Sequence, residues 1–353
     1  MIVINLNMVR LIDFIKNCYA FNLFNNIIFN LTNRKIMFFN KIFLAGHNGM
    51  VGSAIHRILL NTNLCNQIII ANKDELDLRN QNQTFKFLSK HKPDYIILAA
   101  AKVGGIKGNS LYPFEFLYDN MMIEFNVING GFQAGTEKLL FLGSSCIYPK
   151  FSQQPIDEKE LLNGYLENTN KSYAVAKIAG IQLCNSLNEQ YKTDYRSIMP
   201  SNLYGINDNY DSQNSHVIPA LIKKIHNAKV NNKKSLTLWG SGNPLREFLF
   251  VDDLADACTH IMSIPEDKFN LNFNEDAQHI NVGSGKEISI NNLAEMVAET
   301  VKFKGHIYFD NINPDGTPRK LLNNKRVNNL GWYPKTELKL GLIKTYNDFL
   351  KKV

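Results

Sequence analysis

Little in this chain points to a metal, a disulfide or a membrane. Its 353 residues include five cysteines, Cys18, Cys65, Cys146, Cys184 and Cys258. They are odd in number and widely separated, with no CxxC pair and no His/Cys cluster. That pattern excludes a disulfide framework and a structural zinc, so no metal is expected, and it suits a reducing, cytoplasmic compartment. Charge is not massed on one stripe. A formal net charge of +7, from scattered Lys and Arg, argues against nucleic acid as a partner and is compatible with a small anionic ligand. No stretch reads as a bilayer span: the charge-free run over 17–33 is broken by asparagines, so no membrane is expected as a partner. Internal repeats, long linkers and low-complexity segments are also missing. What remains is a globular composition, 44% hydrophobic and 20% charged, with enough length for about two domains.

Residues 1–36 contain neither Gly nor Pro and mix Asn with Ile, Phe and Leu. They read as an upstream segment or loose arm, and a signal peptide is disfavoured because no small-residue cleavage site stands out. The regular pattern starts after Met37. A strand is expected over 41–45, then Gly46, His47, Asn48, Gly49, Met50, Val51 and Gly52, then a helix over 53–60. This GxxGxxG opens a strand-to-helix turn, where glycines let the backbone turn tightly and approach a pyrophosphate held by the helix N-terminus. A second strand over 67–71 ends at Asn72 and Lys73. An acidic residue at that point would accept the ribose hydroxyl of NAD, whereas a cation suits the 2′-phosphate of NADP. The alternative is that Lys73 is an ordinary solvated loop residue. Asp77 and Leu78, just beyond, could flank the adenine.

A third strand over 95–101 ends in Ala99, Ala100 and Ala101, small enough for close approach by a cofactor. An amphipathic helix over 114–132 and a fourth strand over 138–143 follow. Alternating strands and helices of this length imply an α/β fold, a Rossmann-type doubly wound parallel sheet. Ligands bind at the carboxyl ends of such strands. There the chain places Leu142, Gly143, Ser144, Ser145 and Cys146, and a little further on Tyr173 and Lys177.

Tyr173 and Lys177 are four apart and share one helix face. A Lys ammonium ~4 Å from a phenol, at an effective dielectric of ~20, favours the phenolate by ~4 kcal/mol. That would lower the usual tyrosine pKa of about 10 by roughly three units before desolvation opposes it. Ser144 can hold a carbonyl oxygen, and the three side chains together can move a proton at an oxygen while a hydride moves at carbon. Alone, YxxxK reads equally as a surface pair, but beside a dinucleotide turn the chemical reading prevails.

The runs GHNGMVGSAI, LAAAKVGGI, NMMIE, LGSSCIYP, YAVAKIAG, NLYG, NSHVIPALI, LWGSG, PLREF, VDD and PDGTPRKLL resemble the extended short-chain dehydrogenase/reductase superfamily. Within it they resemble the nucleotide-sugar epimerase-reductases, over all but about the first 40 residues. The resemblance implies NADPH-dependent 3,5-epimerisation and 4-keto reduction of GDP-4-keto-6-deoxy-D-mannose, by a cytoplasmic homodimer. It implies Cys146 as base and His216 as acid at carbon, with Pro200, Ser201, Asn202, Leu203 and His216 also lining the NADP(H) site. Read without it, Cys146 serves equally as a small buried residue and His216 as a helix-start cap.

Three departures bear on the cofactor and substrate: Asn48 stands where an Arg is frequent, and Lys73 and Lys224 replace arginines. A nucleoside diphosphate needs an aromatic packing surface and cations. Trp239, Arg246, Lys224 and Lys320 supply these types, with Asp315 in the same final loop, whereas Lys223 reads as surface charge. The domain boundaries follow: an extension over 1–37, a dinucleotide-binding domain over 38–205 with returning segments near 236–285, and a mainly substrate-binding domain over 206–353. A neighbouring 4-epimerase or 4,6-dehydratase activity is the alternative. The dehydratase is disfavoured because Ser-Ser-Cys stands where Thr-Asp-Glu is usual. A non-catalytic NADP-sensing protein is disfavoured because both Tyr173 and Lys177 are kept.

Overall fold

The structure, a computed structural model, describes residues 39–353 apart from 63, 212–214, 272, 274–277 and 311–315. The expectations placed on 1–38 and on Asp315 lie outside the described residues. In chain order the first half runs β1 (Phe39–Ala45), α1 (Met50–Thr62), β2 (Cys65–Ile69), α2 (Gln81–His91), β3 (Tyr95–Leu98), α3 (Ile106–Leu111), α4 (Pro113–Gln133), β4 (Lys138–Leu142), α5 (Lys171–Tyr191) and β5 (Asp194–Pro200). The second half begins β6 (Asn202–Tyr204), α6 (Val217–Val230), β7 (Ser235–Trp239), β8 (Leu245–Phe250), α7 (Val251–Ser263) and α8 (Glu266–Asn270). It continues β9 (His279–Val282), β10 (Glu287–Ser289), α9 (Ile290–Val301), β11 (His306–Asp310), β12 (Arg319–Lys320), α10 (Lys325–Asn329) and α11 (Leu338–Leu350).

Six strands form one parallel sheet in the order β2-β1-β3-β4-β5-β9. Helices cover both faces, so the central strands are largely apolar; every residue of β4, Lys138 included, is buried. Ile42 of β1 pairs with Ile68 of β2 on one side and Tyr95 of β3 on the other. The chain therefore reverses its course across the sheet at β1, and a crevice opens beyond the carboxyl ends of β1 and β3. This is the α/β, doubly wound arrangement that the sequence implies. β2 ends two residues before the expected point. Its chain instead turns at Asn72, whose N–H donates to Glu75 Oε2 at 2.8 Å while Glu75 N–H donates to Asn72 O at 3.0 Å.

The strand expected over 279–283 is β9, which returns to the outer side of β5. A smaller sheet centres on β8, with β10 and β12 on its two edges and β6 paired further along it. Its core joins Tyr204, Phe248 and Phe250 to Val297, Leu342 and Phe349. Buried Glu247 of β8 ties these pieces together: its carboxylate accepts from Gly285 N–H at 2.7 Å and Leu322 N–H at 3.0 Å. Asp253 accepts from the N–H groups of Lys335 and Thr336 and from the Thr336 hydroxyl, at 2.8–3.1 Å. That anchors the segment leading into α11. Among the described residues no helix is long and apolar enough to cross a membrane.

Candidate active site

The glycine turn is shaped by close backbone contact. Gly46 has φ +92°, and a Cβ there would lie 2.6 Å from Ala100 N. A Cβ on Gly52 would lie 2.0 Å from Gly46 O, so the first turn of α1 packs directly on the end of β1. Around this turn Asn48 and Gly49 are exposed, whereas His47, Met50 and Val51 are half-buried. Asn48 donates to Asn72 Oδ1 at 2.8 Å, and Asn207 donates to Asn48 O at 2.9 Å. Desolvation, with His56 nearby, holds the His47 pKa below its ordinary value.

Lys73 is exposed in the loop after β2. The Asp77 carboxylate is engaged by Arg79, at 2.7–3.2 Å, and this holds its pKa below the usual range. Leu78 offers its carbonyl to Asn126 at 2.9 Å. Ala99, Ala100 and Ala101 leave β3 along a path pinned by buried Asn120, which bonds both the N–H and the carbonyl of Lys102, at 2.8 and 3.0 Å. On the far side, Ser201 N–H donates to Val282 O at 3.0 Å and Asn202 Nδ2 donates to Glu247 O at 2.9 Å. This fixes the chain from Pro200 through Leu203.

β4 ends at Leu142, and Gly143 follows because a Cβ there would meet Met199 Sδ at 2.3 Å. The next residues wind into a 3₁₀ turn, Ser145–Ile147, with Ser144 accepting from Cys146 N–H at 3.2 Å. Two residues on, Tyr148 donates to Asn281 Oδ1 at 2.5 Å and lies 2.9 Å from buried His279. The turn is therefore anchored to β9. Above it, Tyr173 stands beside Ser144, and Asn170 reaches Cys146 Sγ with its Nδ2 at 3.2 Å. Lys320 Nζ approaches the same sulfur at 3.9 Å.

The charge at this centre is arranged differently from the expectation. Lys177 Nζ donates to Leu142 O at 2.9 Å and lies 3.0 Å from Glu124 Oε1, both side chains being buried. It stands 4.7 Å over the Phe141 ring and 5.8 Å from the Tyr173 ring centroid. The lysine charge thus faces Glu124, and the expected lowering of the tyrosine does not occur. Burial raises the Tyr173 pKa above its ordinary value, with Cys146 and then Glu124 adding to the rise and the nearby Ser144 hydroxyl opposing it. Burial likewise pushes Glu124 up to about 7 against the pull of Lys177.

His216 occupies the N-cap position of α6, but its side chain makes no capping bond. The ring keeps solvent access, and desolvation by the surrounding protein lowers its pKa. On the outer wall, Lys224 sits 4.9 Å over the ring of Trp239, which is 60% exposed. Lys320 of β12 pairs in register with Arg246 of β8, which sets two cations on adjacent strands. Lys223 donates to Tyr210 O at 2.9 Å, away from this wall.

Three features were not read from the sequence: Glu124, Asn170 and the nearness of Lys320 to Cys146. A signal for the first was present. Glu124 lies four residues after Asn120, and an acidic residue on the buried face of an amphipathic helix needs a partner. The other two bring together segments 24 and 174 residues apart in the chain, which no local pattern shows.

Residues 42–283 match the NAD dependent epimerase/dehydratase family. A GDP-L-fucose synthase from Sinorhizobium fredii is 51% identical over 313 residues, 89% of this chain and 96% of that protein. Among solved structures, a GDP-6-OMe-4-keto-L-xylo-heptose reductase from C. jejuni superposes with a TM-score of 0.84 at 33% identity, covering 90% of this chain and 99% of its own. A GDP-L-fucose synthetase from Naegleria fowleri bound to NADP superposes with a TM-score of 0.78 at 26% identity, covering 88% and 92%.

Proposed function

The chain belongs to the NAD dependent epimerase/dehydratase family, and on that premise we propose that it carries out the reaction of the GDP-L-fucose synthases. It is an NADP(H)-dependent enzyme that converts GDP-4-keto-6-deoxy-D-mannose to GDP-L-fucose by 3,5-epimerisation and then 4-keto reduction. The observation that carries the reading is the meeting of Ser144, Cys146 and Tyr173 beside Lys177, at the end of the sheet that also holds the glycine turn. The test is substrate-dependent oxidation of NADPH. Oxidation with the 4-keto sugar alone is expected, and none with it would overturn the reading.

The residues present fit the cofactor. The cradle at Gly46 and Gly52 has no room for a Cβ, which leaves backbone and the α1 N-terminus free to face a pyrophosphate. Lys73 would face the 2′-phosphate, Ala99 to Ala101 would line the ring, and Lys177 would hold the nicotinamide ribose. NADPH when bound supplies the hydride that C4 receives.

The protein's own groups do the rest. A C4 ketone acidifies the hydrogens at C3 and C5. Cys146 removes one of these protons, and Asn170 and Lys320 are placed to steady the sulfur that results. His216 returns a proton to the opposite face, and Tyr173 delivers its hydroxyl proton to O4 while Ser144 holds that oxygen. Lys224, Trp239 and Arg246 would take the nucleoside diphosphate, with Lys320 between that group and the sulfur.

The enzyme works as a cytoplasmic homodimer in this reading. Phe114, Tyr118 and Phe125 on α4, with Val175 and Tyr191 on α5, leave apolar surface outward, more than the sheet needs. Sedimentation at micromolar concentration should give a dimer, and a monomer alone would sink that assignment. The four described cysteines are free thiols, as a reducing compartment requires.

A further inference from the structure

Cys146 and Lys320 stand 174 residues apart in the chain, yet Lys320 Nζ comes within 3.9 Å of the sulfur. Strand pairing alone holds the lysine weakly. β12 has only two residues, and it meets β8 along one edge, with Lys320 opposite Arg246. The backbone groups on its other edge need partners of their own. There the Leu321 N–H, in the peptide that follows Lys320, is taken by a side chain: Gln154 Oε1 accepts it at 2.8 Å. The Leu321 carbonyl accepts from Ile156 N–H at 2.7 Å.

Gln154 belongs to the loop that leads on from Cys146, and it lines the same cavity as Cys146, Asn170 and Lys320. Its Nε2 donates to Ser152 O at 3.2 Å, so both ends of the amide are engaged by backbone. The loop itself is tied to β9. Tyr148, two residues after Cys146, donates to Asn281 Oδ1 at 2.5 Å, and Asn281 Nδ2 donates to Ile156 O at 3.0 Å. Gln154 is thus the side chain through which a loop fixed on the main sheet grips the strand that carries Lys320.

We propose that Gln154 is a positioning residue of epimerisation, holding the Lys320 strand against the Cys146 turn so that the ammonium meets the sulfur as it gains charge. The inference rests on the roles given to Cys146 and Lys320 under the proposed function. A lysine head rides on a flexible stem, so its reach is limited only as far as its own peptide is pinned. A nearby cation favours a thiolate, and a misplacement of ~1 Å at a reacting group can cost about 100-fold. The loss would fall on inversion at carbon. Tyr173 and Ser144 serve the C4 oxygen from α5 and the end of β4, away from β12.

The test is product partition at saturating NADPH and keto sugar. It reads the ratio of sugar inverted at C3 and C5 to sugar reduced at C4 without inversion. Only folded, active molecules set this ratio, so a loss of stability or of soluble enzyme does not move it. Q154M keeps the length of the side chain and removes the acceptor; Q154A removes both. Each should lower the ratio roughly 10- to 100-fold. K320M should lower it in the same sense. Adding Q154M to K320M should lower it no further, because a residue that acts through Lys320 then has nothing left to position. A wild-type ratio in either Gln154 variant overturns the proposal. So does a wild-type ratio in K320M, or a double variant whose losses multiply. A wild-type ratio in C146S would instead sink the assignment of Cys146 as base.

Discussion

Cys146 and Tyr173 sit in one cluster but serve different atoms of the substrate. Cys146 is met by a carboxamide and an ammonium, partners for a sulfur that gains negative charge. Tyr173 stands beside the Ser144 hydroxyl, and burial raises its pKa above the ordinary value. The two half-reactions should therefore separate. Tyr173→Phe keeps the ring and removes the transferable proton. In D2O it should still exchange deuterium into C3 and C5 while NADPH consumption falls at least ~100-fold, the lower end for loss of a general acid. Cys146→Ser should do the reverse, because a serine hydroxyl is far less acidic than a thiol. Deuterium exchange in Cys146→Ser at the wild-type rate would make Cys146 a packing residue.

Elements position these side chains through places where no side chain is allowed. α1 can begin beside β1 only because Gly46 and Gly52 touch backbone to backbone, and α4 can lie on α5 only because Gly180 leaves room for Phe141 and Glu124. Gly52→Ala is the direct probe of the first. Its methyl would overlap a carbonyl oxygen that cannot swing aside, so the turn itself must shift. A destabilisation of about 3 kcal/mol or more is expected, above the usual cost of overpacking, together with weaker NADPH binding in a titration by fluorescence. Wild-type stability and affinity in Gly52→Ala would show that the turn relaxes freely. Gly135 gives the contrast, since a Cβ there would meet nothing within 4 Å.

Across the whole molecule, buried carboxyls tie the smaller sheet and the loops to the main one. Glu247 is satisfied by backbone donors from two segments. Asp208 is less well served: Oδ1 accepts from Asn209 N–H at 2.7 Å, whereas Oδ2 is buried without a partner among the described residues. Burial pushes its pKa up to about 7. The folded state thus holds this proton at pH values where the unfolded chain has lost it. The stability that Asp208 contributes is present below about pH 4, the unfolded value, and is lost as pH rises through about 7. Asp208→Asn has no charge to bury. Its melting temperature relative to wild type should rise between pH 5 and pH 8, by the equivalent of up to about 3 kcal/mol. A difference that is flat with pH would show that Asp208 ionises in the fold without cost.

Strand periodicity, the glycine turn and the spacing of Tyr173 and Lys177 were all legible in the sequence. Each is a local pattern, and local backbone geometry turns it into a strand, a phosphate-facing turn or a shared helix face. From these follow the parallel sheet, the cofactor crevice and the residues that face it. The small sheet around β8 was not legible, because its strands are short and meet only through pairings between distant segments. Nor was the partner of Lys177. Spacing along α5 placed the lysine near Tyr173, but its charge went to Glu124 on the neighbouring helix. Helix spacing determines which residues share a face. Which charge a buried cation answers is decided by packing between elements, where an unpaired carboxylate and an unpaired ammonium are both too costly to leave apart.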